Sequence, residues 1–551
     1  MTVHHSLAVV LLFVAGSASA QLITEPIRTE EGLEFPEGAA IPRSMTRTER
    51  EWVADHPLTV SRGTTPPPAF LSDVRCPGEY EPMQGIIFAW EPFGSVAPIL
   101  SSMVKEVTTT GNAEAYIMVD TTSEQSSVAT TLTSAGANMS RVKFYVVTTD
   151  TIWIRDYGPR YIYEGNVRSI VDHTYNRPRP NDDLQPQFWA TQKKQTLYEI
   201  PLVHGGGNYH LSGLMPSWAT RLIANENPSL TESQIISYWH NYQNVNTTLT
   251  NPFPTSIDST QHIDMWMQII GDMQVMISDW PSNSGSTQDV ICDSTASAMA
   301  GAGWTVTRVP AFSVGGVHYT YTNVVMCNNL VLVPSYTNAT VAPSNAPALA
   351  TWQAALPSKI IVQVPCQAIV TSAGVMHCIV MHVPAHLGGA NPTAYLRTLR
   401  GPETLTPGTN VDIRWSTDDD VSVSNVDIEL SLDGGATWPV VIAAATADDG
   451  HFSWTVPALY TTQGRVRVVA RDGVGNTGSD ASRADLFINA PPPPCVGDAD
   501  GSGAVDFADI TSVLANYGTI GAPFHPGDAD GSGVVDFGDI TAVLANWGDN
   551  C

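Results

Sequence analysis

Four short motifs carry the side chains best suited to chemistry: Trp153-Ile-Arg-Asp156-Tyr-Gly-Pro, His204-Gly-Gly-Gly-Asn208, His262-Ile-Asp264-Met-Trp and Gly374-Val-Met-His377-Cys378. A cysteine with a distant histidine is the minimum set for nucleophilic catalysis, the imidazole exchanging protons with the thiol or the leaving group. Extra carboxylates are unexpected beside a thiol nucleophile, because nearby anions raise its pKa. They make sense if the substrate is a cation. Two carboxylates can grip a planar guanidinium with bidentate hydrogen bonds, and its positive charge in turn favours the thiolate. Taken singly, each residue has a structural explanation: Cys378 as a buried half-cystine, His262 as a core histidine, Asp156 as a turn cap. A zinc site from His204, His262 and Asp264 is the other chemical option, but no HExxH or CxxC spacing supports it.

These motifs must be positioned by elements, and between residues 50 and 395 one pattern recurs. Ile86–Trp90 reads as a strand, Ala97–Val107 as a helix, Ala115–Val119 as a strand, Gln125–Ser134 as a weaker helix and Val142–Val147 as a strand. Later the unit becomes hairpin, helix, strand. The segment from His262 turns at Gly271-Asp272 into Met273–Ser278, a helix near 290–301 follows, then Trp304–Val309. Asn323–Cys327, Leu330–Val333, a helix near 347–355 and Lys359–Val364 repeat it. Such modules predict an α/β domain with internal pseudo-symmetry; a plain doubly wound sheet is the alternative that periodicity leaves open. With His262 and Asp264 at the start of a hairpin strand, their i, i+2 spacing predicts side chains on one face.

The surrounding chain bounds the function. Its 551 residues include 26 Lys+Arg against 53 Asp+Glu, a net charge of −27, which excludes nucleic acid as the main partner and permits cationic ligands. Residues 1–20 read as a secretory signal with an apolar run from Leu7 to Ala15 and cleavage after Ala20, too short to span a bilayer. No later segment is apolar enough to span, so the expectation is a secreted or cell-surface bacterial protein. Residues 21–49 are a polar, Glu/Arg-rich leader or extended arm. Residues 396–490 alternate as a β-sandwich of the immunoglobulin or fibronectin kind, and Pro491–Pro494 form a stiff linker. Of seven cysteines, Cys495 and Cys551 bracket the last segment and are expected to pair, and the odd count leaves at least one thiol free.

Residues 495–551 contain a duplication, Gly497–Asp509 and Gly527–Asp539. Each loop places oxygen ligands at calcium-loop spacing: Asp498, Asp500, Ser502, the Ala504 carbonyl, Asp506 and Asp509, then Asp528, Asp530, Ser532, the Val534 carbonyl, Asp536 and Asp539. An apolar helix is expected after each loop. With Asp at the twelfth position, the paired loop-helix form resembles a type I dockerin, which implies a small α-helical module, calcium-dependent folding and a cohesin-type protein partner. Phe507-Ala508 and Phe537-Gly538 replace the small hydroxyl pair familiar in cellulosomal dockerins.

Together, the four catalytic motifs, in this order and beginning near Pro77-Gly-Glu-Tyr-Glu-Pro82, resemble the guanidine-modifying penteins of the agmatine deiminase and Porphyromonas-type peptidylarginine deiminase family. The resemblance spans roughly residues 70–385. It implies a five-bladed α/β propeller with the site on its axis and no cofactor for catalysis. It implies Cys378 as the nucleophile, His262 as the proton donor to ammonia, and Asp156 and Asp264 as guanidinium ligands. Trp153, Asn208 and Asn323 are carried over as supporting groups at the substrate.

Arg177 and Arg179 flank a proline in a chain poor in bases, and such a fork suits a carboxylate. The pair resembles the segment by which Porphyromonas-type enzymes hold the α-carboxylate of a C-terminal arginine. The expectation is therefore a deiminase converting arginine in peptides to citrulline and ammonia, with agmatine deiminase as the alternative and a non-catalytic, calcium-dependent cohesin-binding component as the alternative from another class.

Overall fold

Ile86, Ile87, Phe88 and Ala89 are all fully buried, so this strand has no polar alternation because both of its faces are covered. It is the centre of a four-stranded sheet, Met381–Pro384, Met83–Ala89, Glu114–Val119 and Val142–Val146. The first pair is antiparallel and the rest parallel, with the helix Ala97–Thr109 as the crossover. The structure, a computed structural model, describes residues 23–60, 65–488, 495–521 and 523–550. The expected signal segment, the Pro491–Pro494 linker and Cys551 lie outside the described residues.

The same unit of antiparallel hairpin, helix and parallel strand occurs four more times. Arg160–Glu164 and Val167–Tyr175 lead through the helix Gln185–Lys193 to Leu197–His204. His210–Leu211 and Pro216–Thr220 lead through Glu232–Gln243 to Asn246–Thr250. Met267–Gly271 and Gln274–Asp279 lead through Thr287–Gly301 to Thr305–Pro310. Val325–Cys327 and Leu330–Ser335 lead through Asn345–Ala355 to Ile360–Pro365. The late strand Met381–Pro384 pairs with the early strand Met83–Ala89, so the chain closes its own ring of five modules. A parallel pair needs a crossover, and each helix supplies it while covering an outer face.

The chain divides into two units at His386/Leu387. The boundary therefore precedes residue 395, because Thr393–Leu396 pairs with Asn410–Asp418 and belongs to the second unit. There, Thr393–Leu396, Asn410–Asp418 and His451–Thr455 form one sheet. A second is built on Val423–Ser431, Val440–Thr446 and Thr461–Asp472. Ile413, Trp415, Val426, Ile428, Leu430, Trp454, Val466 and Val468 share one core, making this region a β-sandwich. Beyond it, the helices Phe507–Ala515 and Phe537–Ala545 follow the duplicated loops, with Val505, Val513, Val535 and Val543 buried among them.

One local expectation fails. His262 and Asp264 do not lie on a strand: Ile263–Met265 is a single 3-10 turn, and the strand begins only at Met267. The turn sends the two side chains to different partners, as described next.

Candidate active site

Short turns carry the four motifs to one place in the first unit: Ile154–Tyr157, Gly206–Asn208, Ile263–Met265 and His377–Ile379. The turn at Ile154–Tyr157 packs on those at Gly206–Asn208 and His377–Ile379, and Gly206–Asn208 on Ile263–Met265. Asp156, Asp264, His262 and Cys378 are all fully buried there.

The space between them is filled by a side chain from the N-terminal arm. Arg43 Nε and Nη2 donate to Asp156 Oδ2 and Oδ1 at 2.9 and 2.7 Å. Nη1 and Nη2 donate to Asp264 Oδ1 and Oδ2, both at 2.9 Å. Nη1 also lies 2.7 Å from Cys378 Sγ. All five guanidinium N–H groups have an acceptor, the full complement for this group. Burial alone would raise both aspartates; the guanidinium overrides it and holds Asp156 and Asp264 well below the usual carboxylate range. Burial pushes the Cys378 thiol up, the positive charge of Arg43 opposes that, and the two carboxylates add to the rise. A cation in the slot is thus what opposes the rise at this sulfur.

The glycines of His204-Gly-Gly-Gly-Asn208 are explained by this closeness. A Cβ on Gly207 would sit 1.8 Å from Arg43 Nη2 and 2.8 Å from Asp264 Oδ2, and one on Gly206 would sit 2.3 Å from the Arg155 carbonyl. Gly207 N–H also donates to Asp156 Oδ1 at 3.0 Å. Only a residue without a side chain lets the backbone approach the guanidinium so closely.

The remaining expected residues divide. Asn323 is at the site: its Nδ2 is 3.2 Å from Cys378 Sγ and its Oδ1 accepts from His377 N–H at 3.0 Å. Trp153 donates from Nε1 to the Ile41 carbonyl of the arm, and Gly374 leaves room for its ring beside Cys378. His262 Nδ1 lies 3.4 Å from Asp156 Oδ1, and neither ring nitrogen makes a hydrogen bond. Asn208 faces away, exchanging bonds with Thr220 (Nδ2 to the carbonyl, N–H to Oδ1), and supports the turn rather than the slot. Arg177 and Arg179 both hold the N-terminal arm. Arg177 Nε donates to the Arg43 carbonyl at 3.2 Å, while Arg179 donates to the Pro42 carbonyl at 2.8 Å and forms a buried ion pair with Glu49 at 2.7 Å.

Three contributors, Arg43, His377 and Glu79, had no role in the expected site. Arg43 lies in Ile-Pro-Arg-Ser, where nothing marks it except the scarcity of bases. His377 places Nδ1 2.9 Å from Asp264 Oδ2 and Nε2 2.9 Å from Glu79 Oε2, and Glu79 also receives Arg155 Nη1 at 2.7 Å. Desolvation would raise the partly buried Glu79 carboxyl, but Arg155, His377 and His382 hold it well below its usual range. The available signals were adjacency to Cys378 and membership of Pro77–Pro82. The zinc alternative is not formed: among the described residues His204, His262 and Asp264 do not converge as a metal-binding group. His204 is instead packed edge-on against His173, Tyr209 and Trp239.

In the second unit, carboxylate oxygens of Asp498, Asp500 and Asp509 lie within 4.8 Å of one another, as do those of Asp528, Asp530 and Asp539. Buried Asp528 Oδ1 has no hydrogen-bond partner, an orphan acceptor aimed into an all-oxygen loop that suits a hard divalent cation. Asp506 and Asp536 have a second task. Each caps its helix, accepting from Ala508 and Gly538 N–H at 2.7 and 2.6 Å, because the helix starts immediately after them. The Ala504 and Val534 carbonyls accept from the Ser502 and Ser532 hydroxyls.

Residues 75–384 match the model of the Porphyromonas-type peptidyl-arginine deiminase family. The agmatine deiminase of Ectopseudomonas mendocina is 23% identical over 298 residues, covering 45% of this chain and 78% of that protein. In fold, the chain is similar to the agmatine deiminase of Enterococcus faecalis, with TM-score 0.51, 19% identity and coverage of 60% of this chain and 100% of that one. It is also similar to C. jejuni agmatine deiminase, with TM-score 0.50, 17% identity and coverage of 57% and 97%. The match covers the five modules and every turn that lines the slot, and the chain belongs to the Porphyromonas-type peptidyl-arginine deiminase family, a guanidine C–N hydrolase.

Proposed function

We propose that the protein is an exported deiminase that converts arginine side chains of peptides to citrulline and ammonia. One observation carries the reading: an arginine of a peptide segment lies in the slot with its guanidinium between Asp156 and Asp264 and against Cys378. Cys378 Sγ attacks the guanidinium carbon, and the thiol proton passes by way of His262 to a terminal nitrogen, which leaves as ammonia. Water then hydrolyses the thiouronium and restores the thiol. Asp156 and Asp264 orient the cation and hold its charge through both steps. Asn323 supports the sulfur, and His377, held by Glu79, positions Asp264.

The peptide side of the reading rests on main-chain contacts. Trp153, Arg179 and Arg177 donate to the carbonyls of residues 41, 42 and 43, and Arg43 N–H donates to the Ser372 carbonyl at 3.1 Å. Agmatine has no such atoms. A C-terminal arginine would present its carboxylate where Arg177 now meets the Arg43 carbonyl, which favours it among peptides. The names of the relatives favour agmatine as the second reading.

The test is ammonia release from agmatine, free arginine, a peptide ending in arginine and one with internal arginine, each with protein lacking residues 21–55. The peptides should be turned over best. Preference for agmatine would select the second reading, and no release from any of them would sink the enzymatic one. For the C-terminal loops we infer calcium as a structural ion, held by Asp498, Asp500 and Asp509 and by Asp528, Asp530 and Asp539, and a cohesin-type partner. Calcium titration monitored by circular dichroism, with and without an immobilised cohesin, tests both.

A further inference from the structure

We propose that Arg43 is this enzyme's own first substrate, deiminated in cis by Cys378, and that the arm excludes other guanidines until that has happened. The inference rests on the deiminase reading above and concerns what that site acts on first.

The arm is built to hold this side chain in place. Thr46 and Glu49 form a capping box at the start of the helix Arg47–Asp55. Glu49 turns its other face to Arg179, and both side chains are fully buried. Glu25 accepts from the N–H groups of Arg47 and Thr48 at 3.2 and 2.9 Å, tying the earlier part of the arm to the helix. Between these anchors the main chain of residues 41–43 is held on both sides of Arg43, and the Arg43 side chain is wholly inaccessible. No second guanidinium can share a slot whose two carboxylates and thiol are already engaged.

The contacts are those a substrate needs. Both carboxylates grip the group, the sulfur is beside a terminal nitrogen, and His262 has two ring nitrogens free of hydrogen bonds at the same carboxylate. Reaction forms the Sγ–Cζ bond and breaks one Cζ–N bond, the bonding pair leaving on nitrogen, which takes the thiol proton as ammonia. Water from solvent then adds to the thiouronium, the Sγ–Cζ bond breaks, the sulfur recovers a proton, and residue 43 is left as citrulline with ammonium released. No oxidant or reductant is required.

The product cannot stay. Each terminal nitrogen of Arg43 donates to Asp264, so whichever one is replaced sets a carbonyl oxygen against a carboxylate oxygen. The positive charge is also gone, leaving two buried anions without their counter-charge, a costly arrangement. The citrulline arm is therefore expelled, and the slot opens to a peptide or small guanidine.

The experiment is peptide mass spectrometry of residue 43 in purified full-length protein, for the wild type, Cys378→Ala and Cys378→Ser, with thermal melts to show that the variants fold. Citrulline is expected at position 43 in the wild type alone. Arg43→Gln, which mimics the neutral product, should release ammonia from an external arginine peptide roughly tenfold or more faster than Arg43→Lys, whose cation has no guanidinium carbon to attack and stays as a tethered competitor at about millimolar effective concentration. Mixing Cys378→Ala with Arg43→Gln should leave the arginine of the former intact. Citrulline in Cys378→Ala, alone or in the mixture, would overturn action in cis. An active Arg43→Gln beside a wild type that keeps arginine at 43 overturns self-deimination and leaves the deiminase reading standing. An Arg43→Gln protein inactive on every external guanidine removes both.

Discussion

Asp156 with Asp264 in the first unit and the aspartates of the duplicated loops in the second are both carboxylates gathered from separate turns, and they are stabilised in opposite ways. Asp156 and Asp264 are fully buried, and most of their hydrogen bonds come from one shaped cation. In the loops, the backbone does this work. Asp498 accepts from Ser502 and Gly503 N–H, and Asp509 from Asp500 and Asp506 N–H, while Asp500 remains exposed. A dry pair of anions demands a partner of matching shape, because an uncompensated buried charge costs several kcal/mol. A wetter loop can wait for a spherical ion that accepts oxygen in flexible geometry. Glu91 marks the third outcome. It is partly buried, its charged neighbours Asp120, Glu124 and Asp182 are carboxylates like itself, and burial followed by Asp120 pushes its pKa up to about 9. Without a cation, the carboxyl keeps its proton.

The comparison can be broken most directly at Cys378. Cys378→Ala removes the nucleophile, and ammonia release should fall by about 10³-fold or more. Residual turnover near the wild-type level would mean that the carboxylates, not the sulfur, do the chemistry. Asp264→Asn should come next. It leaves the arm cation short of one counter-charge in a dry slot, a loss of roughly 3–5 kcal/mol. Turnover of an external guanidine, read as ammonia release, should drop by about 10²-fold or more.

Chelation probes the wetter sites. Removing calcium should lower the stability of the C-terminal module by about 2.7 kcal/mol when the ion had been present at 100 times its Kd. Deiminase activity in the first unit should not change; equal loss of both would show that the two classes of site are coupled. The smallest expected effect is at Glu91. Its folded pKa lies above its unfolded value, so the folded state holds a proton that the unfolded chain gives up. Its contribution is fully present below the unfolded pKa and is lost as pH rises towards about 9. Glu91→Gln should flatten that decline in denaturant titrations across the same range. An unchanged slope would place the titration elsewhere.

Much of the scaffold was legible because buried strands and their crossovers write themselves into the chain as apolar runs and helical periods. The helix expected at 347–355 is Asn345–Ala355, and the strand expected at Ala115–Val119 is Glu114–Val119. The weak helix at 125–134 extends over Thr122–Ala135, its start set by Thr121 as a cap. Local pattern failed where the chain turns without repeating. His262 and Asp264 sit on a single 3-10 turn, too short to produce any period. Asn208 carries a motif position yet bonds to Thr220, because a polar side chain next to a slot can equally brace the turn behind it. The five cysteines of the first unit, Cys76, Cys292, Cys327, Cys366 and Cys378, are all free and buried. Desolvation raises the first four as well as Cys378; Cys378 stands apart by direct contact, with Arg43 Nη1 2.7 Å from its sulfur. Cys495 is disulfide-bonded.

By itself, the amino-acid sequence determined the repeated α/β units, the sandwich alternation, the two acidic loops and the four motifs, since each is a local pattern of residue types at short spacing. Only the tertiary structure decided that Asp156, Asp264 and Cys378 converge, that His377 and Glu79 stand behind them, and that Arg43 fills the space between. Those partners are separated by more than a hundred residues of chain, and a buried anion selects its cation by where the fold brings one, not by its place in the sequence.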